Sequence, residues 1–244
     1  YGNWLLGVVQ GDMGISYSAK KPVMEKLIEG FAGTVLLALT TIILIIIISI
    51  PLGIFSATHR NKIPDFLVRI FSFIGVSMPS FWVGLILLYI FGLKLGLVPI
   101  ATAKVSFSGL ILPALTLAIY QSAKYTRQVR TVILDELHQD YVIGARARGL
   151  SEKAILWKHI LPNAILPLIT LLGMSIGWLL GGVAVIETVF SWPGIGKMAV
   201  QAITMRDYPL IEGIVLWIAT VYTVINFLVD LSYSYLDPRI KKEN

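Results

Sequence analysis

The sequence predicts an all-α, polytopic bundle of membrane-spanning helices. Three observations carry that reading: long charge-free apolar blocks, positive charge that alternates between connections, and the absence of cysteine. Hydrophobic residues make up 56% of the 244 and charged residues only 14%, against roughly 25% charged in soluble domains. Phe31–Ala57 runs 27 residues without a charge, and its centre, IILIIIISI, is apolar on every side. A hydrocarbon core needs about 20 such residues in a helix. Without cysteine there is no disulfide framework and no thiolate metal site. The net charge of +6 lies mainly beside the apolar blocks, where it orients a membrane protein. That placement argues against nucleic acid as a partner.

Taken in order, residues 1–30 form a segment outside the bundle. Trp4, Leu5, Leu6, Val8 and Val9 suit a short amphipathic piece, GDMGISYSAKKP reads as turn and extended chain, and VMEKLIEGF as a helical run entering the first span. The segment is either a simple connector or a docking element. The five expected spans are Phe31–Ala57, Phe71–Leu93, Gly109–Ala123 (continuing as helix past Arg127), Ala164–Ile186 and Ile211–Tyr235.

Arg60, Lys62 and Arg69 follow the first span, and Lys124, Arg127, Arg130, Arg146, Arg148, Lys153 and Lys158 follow the third. With Arg239, Lys241 and Lys242 in the tail, these are 13 of the 20 Lys and Arg. The remaining connections carry Lys94 and Lys104, Lys197 and Arg206, and before the first span Lys20, Lys21 and Lys26. The positive-inside rule then puts the larger set and the C-terminus in the cytoplasm and residues 1–30 outside. A start at Tyr1 on the outer side, without a signal peptide, leads us to expect an upstream span and six in the intact protein.

The connection after the third span is the most informative. Asp135–Arg148 reads as helix, with Leu137, Tyr141, Gly144/Ala145 and Arg148 near one face. Gly149 suits a left-handed helix end. Ser151 is then an N-cap with Glu152 at the positive end of a second short helix containing Ala154, Ile155 and Trp157. Pro162 should stop it before the next span. Gly144, Ala145 and Ala147 would let a partner approach, steered by Arg146, Arg148, Lys153 and Lys158. The alternative is an amphipathic helix resting on anionic headgroups.

Three other features carry functional or merely structural readings. Ser77, Met78, Pro79 and Ser80 lie inside the second span, where proline kinks the helix: a hinge or pathway wall, or a packing kink. Glu187 to Gly194, with Trp192, Pro193 and Gly194, follows the fourth span as an external re-entrant turn that closes the path or touches a delivery protein, or Trp192 is an interfacial anchor. Asp230 lies near the cytoplasmic end of the fifth span, positioned for a partner or for snorkelling. Asp237-Pro238-Arg239 reads as a polar stop. His59, His138 and His159 lie outside the spans, so the expected path holds no soft metal-ligand cluster. No G-x-x-x-x-G-K-[ST] loop occurs, so ATP hydrolysis by that route must come from elsewhere. No catalytic residue, metal site or cofactor is assigned.

ARARGLSE at residues 145–152, followed by HILPNA, resembles the cytoplasmic loop of permease subunits in binding-protein-dependent ABC importers. The family pattern is Glu-Ala-Ala, three residues, Gly, nine residues, then Ile-x-Leu-Pro. Ala145, Gly149 and Leu161-Pro162 fit it; Ile143, Gly144 and His159 depart from it. The form YVIGARARGLSE is similar to the dipeptide, oligopeptide and nickel branch, as are GVSMPSFW, ETVFSWPGIGKMAV, RDYPLIEG and LDPRIK.

The resemblance implies the type I importer transmembrane-domain fold over residues 31–240, with a coupling loop at about 131–162 and a tail at 241–244. It implies docking to cytoplasmic ATPases through Ala145, Arg146, Arg148, Gly149, Leu150, Ser151, Glu152, Trp157 and Pro162. The expected partners are two ABC ATPase subunits, a second and paralogous permease subunit, an extracytoplasmic solute-binding protein and the inner-membrane lipid bilayer. The cargo is peptide or a nickel chelate. An ion channel would need a filter or polar rings. A membrane enzyme would need converging catalytic groups, for which His138, Asp135 and Asp140 make a poor set.

Overall fold

The computed structural model describes residues 2–102, 104–180 and 183–236. The described residues form eleven α-helices, two of them extended by π-helical turns. The described residues contain no strand, only an isolated bridge between Ile15 and Pro22. In chain order the helices are α1 (Gly2–Val9), α2 (Val23–Thr58), α3 (Ile63–Ser77), α4 (Ser80–Leu87), α5 (Phe107–Leu137), α6 (Asp140–Ala147), α7 (Glu152–Ile155), α8 (Leu161–Leu180), α9 (Ala184–Val189), α10 (Ile195–Met205) and α11 (Tyr208–Leu236). The π-helical turns are Leu88–Lys94 after α4 and Leu156–Ile160 before α8.

Three described helices are long and apolar enough to cross a membrane: Val23–Thr58, Glu152–Leu180 and Tyr208–Leu231. A fourth crossing counts only if Ile63–Ser77 and Ser80–Lys94 are taken as one broken span. The second expected span is therefore interrupted at Met78-Pro79. Met78 is extended (φ −91°, ψ 133°), as steric conflict with a following proline ring demands. The third expected span is helical and runs past Arg127, but α5 is less apolar than the three helices above. Its buried Thr116, Gln121, Ser122 and Thr126 suit a helix surrounded by protein.

The fourth expected span corresponds to α8, which is helical to Leu180, with α9 from Ala184 covering its last three residues.

The chain divides into two compact units. Unit one comprises residues 1–41, 80–117 and 175–226. Its core packs Val23 and Leu27 of α2, Ile195 and Ala202 of α10, and Leu210 and Ile214 of α11. Phe31 meets Trp217 edge to face at 5.5 Å, a geometry favoured by the ring quadrupoles. Unit two comprises residues 42–79, 118–174 and 227–244. Val129 and Ile133 of α5, Val142 and Ala145 of α6, and Ile155, Ile160 and Ala164 form its core with Ala57.

Apolar side chains elsewhere point away from protein. Leu39, Ile43 and Ile47 of α2 and Val215, Phe227, Leu228 and Leu231 of α11 are exposed. Such faces are stable in hydrocarbon, where lipid tails replace a protein neighbour.

Candidate functional site

The basic connection after α5 folds as a helix–glycine–helix element, with three differences from expectation. First, helix does not run unbroken from Asp135 to Arg148. It stops at Leu137 and restarts at Asp140 after an extended Gln139 (φ −75°, ψ 149°). Gln139 is the N-cap, and Asp140 places its charge in the first turn, where the helix dipole favours an anion. Second, Ala145 is unavailable to a partner: it is 1% exposed and packs in the core with Val142, one turn earlier. Ile143, Gly144, Arg146 and Ala147 are exposed.

Third, Pro162 does not end the second short helix. Chain from Glu152 to Leu180 is one continuous helix. A proline lacks the N–H for the carbonyl four residues back and its ring crowds that carbonyl. The π-helical turn at Leu156–Ile160 widens the helix just before Pro162, which accommodates the ring without a break. His159 therefore belongs to a candidate span rather than to a separate loop.

The expectations at the turn itself hold. Gly149 has φ +79°, and its amide donates to the carbonyl of Arg146 at 2.9 Å. Ser151 caps α7 by accepting the amide of Ala154 at 3.3 Å. Arg146 reaches across the turn to Glu152 with two bonds, Nε to Oε1 at 2.7 Å and Nη2 to Oε2 at 3.0 Å. The two short helices are thus tied by a two-pronged pair over the glycine. Ile155 is buried, while Leu150 and Trp157 are exposed at 39% and 60%. Arg148, Ser151 and Pro162 are exposed too. The element presents a rim of Ile143, Leu150 and Trp157 among positive charges, held from beneath by Val142, Ala145 and Ile155.

The second expected set is divided between the units. In unit two, Ser77 donates to the carbonyl of Phe73 at 2.8 Å and ends α3, while Met78 and Pro79 form the break. In unit one, Trp192, Pro193 and Gly194 are joined to Glu187 of the same segment and to Gly33 and Thr34 of α2, contacts that sequence reasoning did not foresee. Trp192 is fully buried, and its indole donates to the carbonyl of Gly33 at 2.9 Å. The interfacial-anchor reading is therefore corrected. A ring enclosed by protein does not rest at a headgroup boundary.

Glu187, also fully buried, accepts from Thr34 Oγ1 at 2.8 Å and from the amide of Lys197 at 2.9 Å. Thr34 in turn accepts the amide of Ile195 at 2.9 Å. Burial pushes the Glu187 carboxyl above the usual carboxylate range, opposed by these donors and by the Lys197 charge. Glycine makes the packing possible: a Cβ on Gly33 would lie 1.8 Å from the Pro193 oxygen.

A further buried carboxylate, Asp207, fastens the first residues. It accepts from the Ser16 and Ser18 hydroxyls at 2.6 Å each and from the Ser18 and Tyr17 amides at 2.9 and 3.0 Å. It also caps α11 through the amide of Leu210 at 3.4 Å. Burial acts to raise its pKa, but these hydroxyls and amides outweigh it and hold the carboxyl well below the usual range.

Helix α10 and the hub roles of Glu187 and Asp207 were missed. The sequence signal for α10 was available in the apolar spacing of IGKMAVQAI. Asp230 of α11 is exposed. Asp237-Pro238-Arg239, Lys241 and Lys242 lie outside the described residues.

The sequence profile of the family described as "Binding-protein-dependent transport system inner membrane component" matches residues 49–242. The oligopeptide transport system permease protein AppB of Bacillus subtilis (strain 168) is 41% identical over 251 residues, covering 99% of this chain and 79% of that protein. The glutathione transport system permease protein GsiC of Escherichia coli (strain K12) is 37% identical over 239 residues, covering 98% and 78%.

Among solved structures, an inward-facing MetNI methionine ABC transporter superposes with a TM-score of 0.72 at 18% identity, covering 88% of this chain and 97% of that one. An amino acid ABC transporter solved with histidines gives 0.64 at 18% identity, covering 86% and 94%. These likenesses show the fold, an ABC importer transmembrane domain. With the profile match and the curated relatives, they establish that this chain belongs to the family of inner-membrane permease components of binding-protein-dependent importers.

Proposed function

We propose that the chain moves di- or oligopeptides inward as one of two permease subunits. A paralogous subunit completes the path, two cytoplasmic ABC ATPases supply the energy, and an extracytoplasmic binding protein delivers the cargo. The observation that carries this reading is the rim of Ile143, Leu150 and Trp157 with Arg146 and Arg148, mounted on a buried base at the Gly149 turn. It offers apolar anchors and steering charge at the connection that the charge distribution assigns to the cytoplasm. Peptide is favoured over a nickel chelate because AppB and GsiC carry oligopeptide and glutathione in their names.

In this reading Trp192, Pro193 and Gly194 form an external gate on the Glu187 hub. Ser77, Met78 and Pro79 form a joint in the pathway wall. The C-terminus and the Gly149 turn face the cytoplasm.

The complex is reconstituted with its ATPases and binding protein, and ATP hydrolysis and uptake are followed with a dipeptide mixture and with a nickel chelate. Stimulation by dipeptides is the expected result. Stimulation by the chelate alone reassigns the cargo, and failure to recruit any ATPase overturns the reading. Because the chain has no cysteine, single cysteines at Lys153 and Lys104 report sidedness directly. Labelling of the first only from the cytoplasm is expected.

A further inference from the structure

In unit two, α3 and α5 leave a cavity of about 310 Å³ between them. Val68, Arg69, Ser72 and Phe73 line it from α3, and Thr126, Arg127 and Arg130 from α5. Two independent observations mark it as a binding site. The first is unanswered charge. Arg130 and Arg69 share one carboxylate, Asp65, at 2.7 and 3.7 Å, and Arg127 makes no ion pair among the described residues. No acid lines the cavity itself, so positive charge is in excess there.

The second observation is unanswered hydrogen bonding. Ser72 Oγ and Thr126 Oγ1 are buried without any partner, their residues being 4% and 0% exposed. Helical hydroxyls ordinarily donate to the carbonyl four residues back, as Ser77, Thr116 and Thr131 do here. Two orphaned hydroxyls, one on each helix lining the cavity, each costing about 1–3 kcal/mol if left dry, are suited to an oxygen-rich occupant.

The rest of the wall selects the kind of anion. Val68 and Phe73 are apolar, and Phe73 is 72% exposed, so the mouth opens along a greasy surface of α3 that continues through Phe66 and Ile70. A free inorganic ion has no use for that surface; a molecule with an oxyanion head and an acyl tail does. Basic pockets between membrane helices near the cytoplasmic face take anionic headgroups.

We propose that this cavity binds the phosphodiester headgroup of an anionic phospholipid. Arg127 and Arg69 meet its charge, the Thr126 and Ser72 hydroxyls donate to its oxygens, and its tail lies along Phe73. Placing this lipid in the cytoplasmic leaflet rests on the sidedness proposed above.

The test uses the assembled transporter in nanodiscs of phosphatidylglycerol or of phosphatidylcholine, with lipids retained after mild extraction counted by native mass spectrometry. Wild type should keep phosphatidylglycerol selectively. Arg127→Gln and the near-isosteric Thr126→Val should each weaken retention about fivefold, whereas Lys104→Gln should not. Thermal unfolding and ATPase recruitment confirm that each variant is intact.

Equal retention of both lipids, or unchanged retention in both variants, overturns the proposal. So does a site that millimolar inorganic phosphate occupies while phosphatidylglycerol is not kept. Lipid loss with the cysteine at Lys153 still labelled from the cytoplasm rejects the site alone. Selective retention with inverted labelling keeps the site and rejects the sidedness.

Discussion

The carboxylate of Asp65 receives both the Nε and the Nη2 of Arg130, at 2.7 and 2.9 Å. The same carboxylate accepts the Ser56 hydroxyl at 2.5 Å and the Asn61 amide at 3.0 Å. The end of α2, the start of α3 and the middle of α5 are therefore fixed by one acid. Asp65 is fully buried, whereas Arg130 retains 18% exposure. Removing one partner from a buried pair leaves the other charge stranded, at about 3–5 kcal/mol. Asp65→Asn should fall near the lower end of that range, read as a lowered unfolding temperature in detergent. Asp65→Leu combined with Arg130→Met should recover at least half of the loss, and a further loss would refute the pairing as the cause.

Asp207 gives a pH dependence with a definite sign. Its folded-state pKa is depressed by the Ser16 and Ser18 donors, so the fold favours the ionised form. Its contribution is complete above the unfolded value, about pH 4, and is lost as pH falls toward the folded value. Proteolysis between Gln10 and Lys21 should stay slow from neutrality to about pH 4 and accelerate below it. In Asp207→Asn, cleavage should be fast at every pH. A variant as resistant as wild type would dissociate the acid from the anchoring.

Two glycines separate crowding from freedom. Gly33→Ala forces a methyl against the Pro193 carbonyl and should cost about 1–3 kcal/mol, with faster amide exchange in α10. At Gly144 an added methyl meets nothing within 4 Å, so alanine there should stabilise α6 by up to about 1 kcal/mol. Similar unfolding temperatures for the two variants would contradict the packing described.

Gly149 is a different case, because space is open around it but φ is +79°. Gly149→Ala should cost about 1–2 kcal/mol through backbone strain alone, and Gly149→Asn less. Hydrogen exchange should rise at residues 140–155 while membrane insertion stays normal. If the coupling role is correct, transport per ATP falls in the same order, Gly, Asn, Ala. Undiminished transport in both variants would remove that role.

Legibility in the sequence followed the physics of each element. Runs such as Phe31–Ala57 announce a helix by hydrophobicity alone, and the Gly149–Ser151 turn announces itself through residue types with narrow conformational roles. Pro162 misled because a proline rule applies to a regular α-helix, and a widened turn upstream evades it. Ala145 misled because a small residue is equally suited to receiving a partner and to close packing in a core. Glu187, Asp207 and Asp65 were hidden for a deeper reason. Their partners lie 153, 191 and 65 positions away, and no local pattern encodes an encounter at that range.

The unbroken helix from Glu152 to Leu180 makes Trp157 of the exposed rim and a membrane rod one mechanical part. A linker between them would absorb a push as slack, whereas a continuous backbone hydrogen-bond ladder resists bending and hands the push on. In the proposed reading, force applied at Trp157 is therefore delivered as tilt and roll of the rod. The widened turn before Pro162 is its most compliant point. The lever has its fulcrum built in, and stiffening that turn by Pro162→Ala should change the stroke rather than the grip.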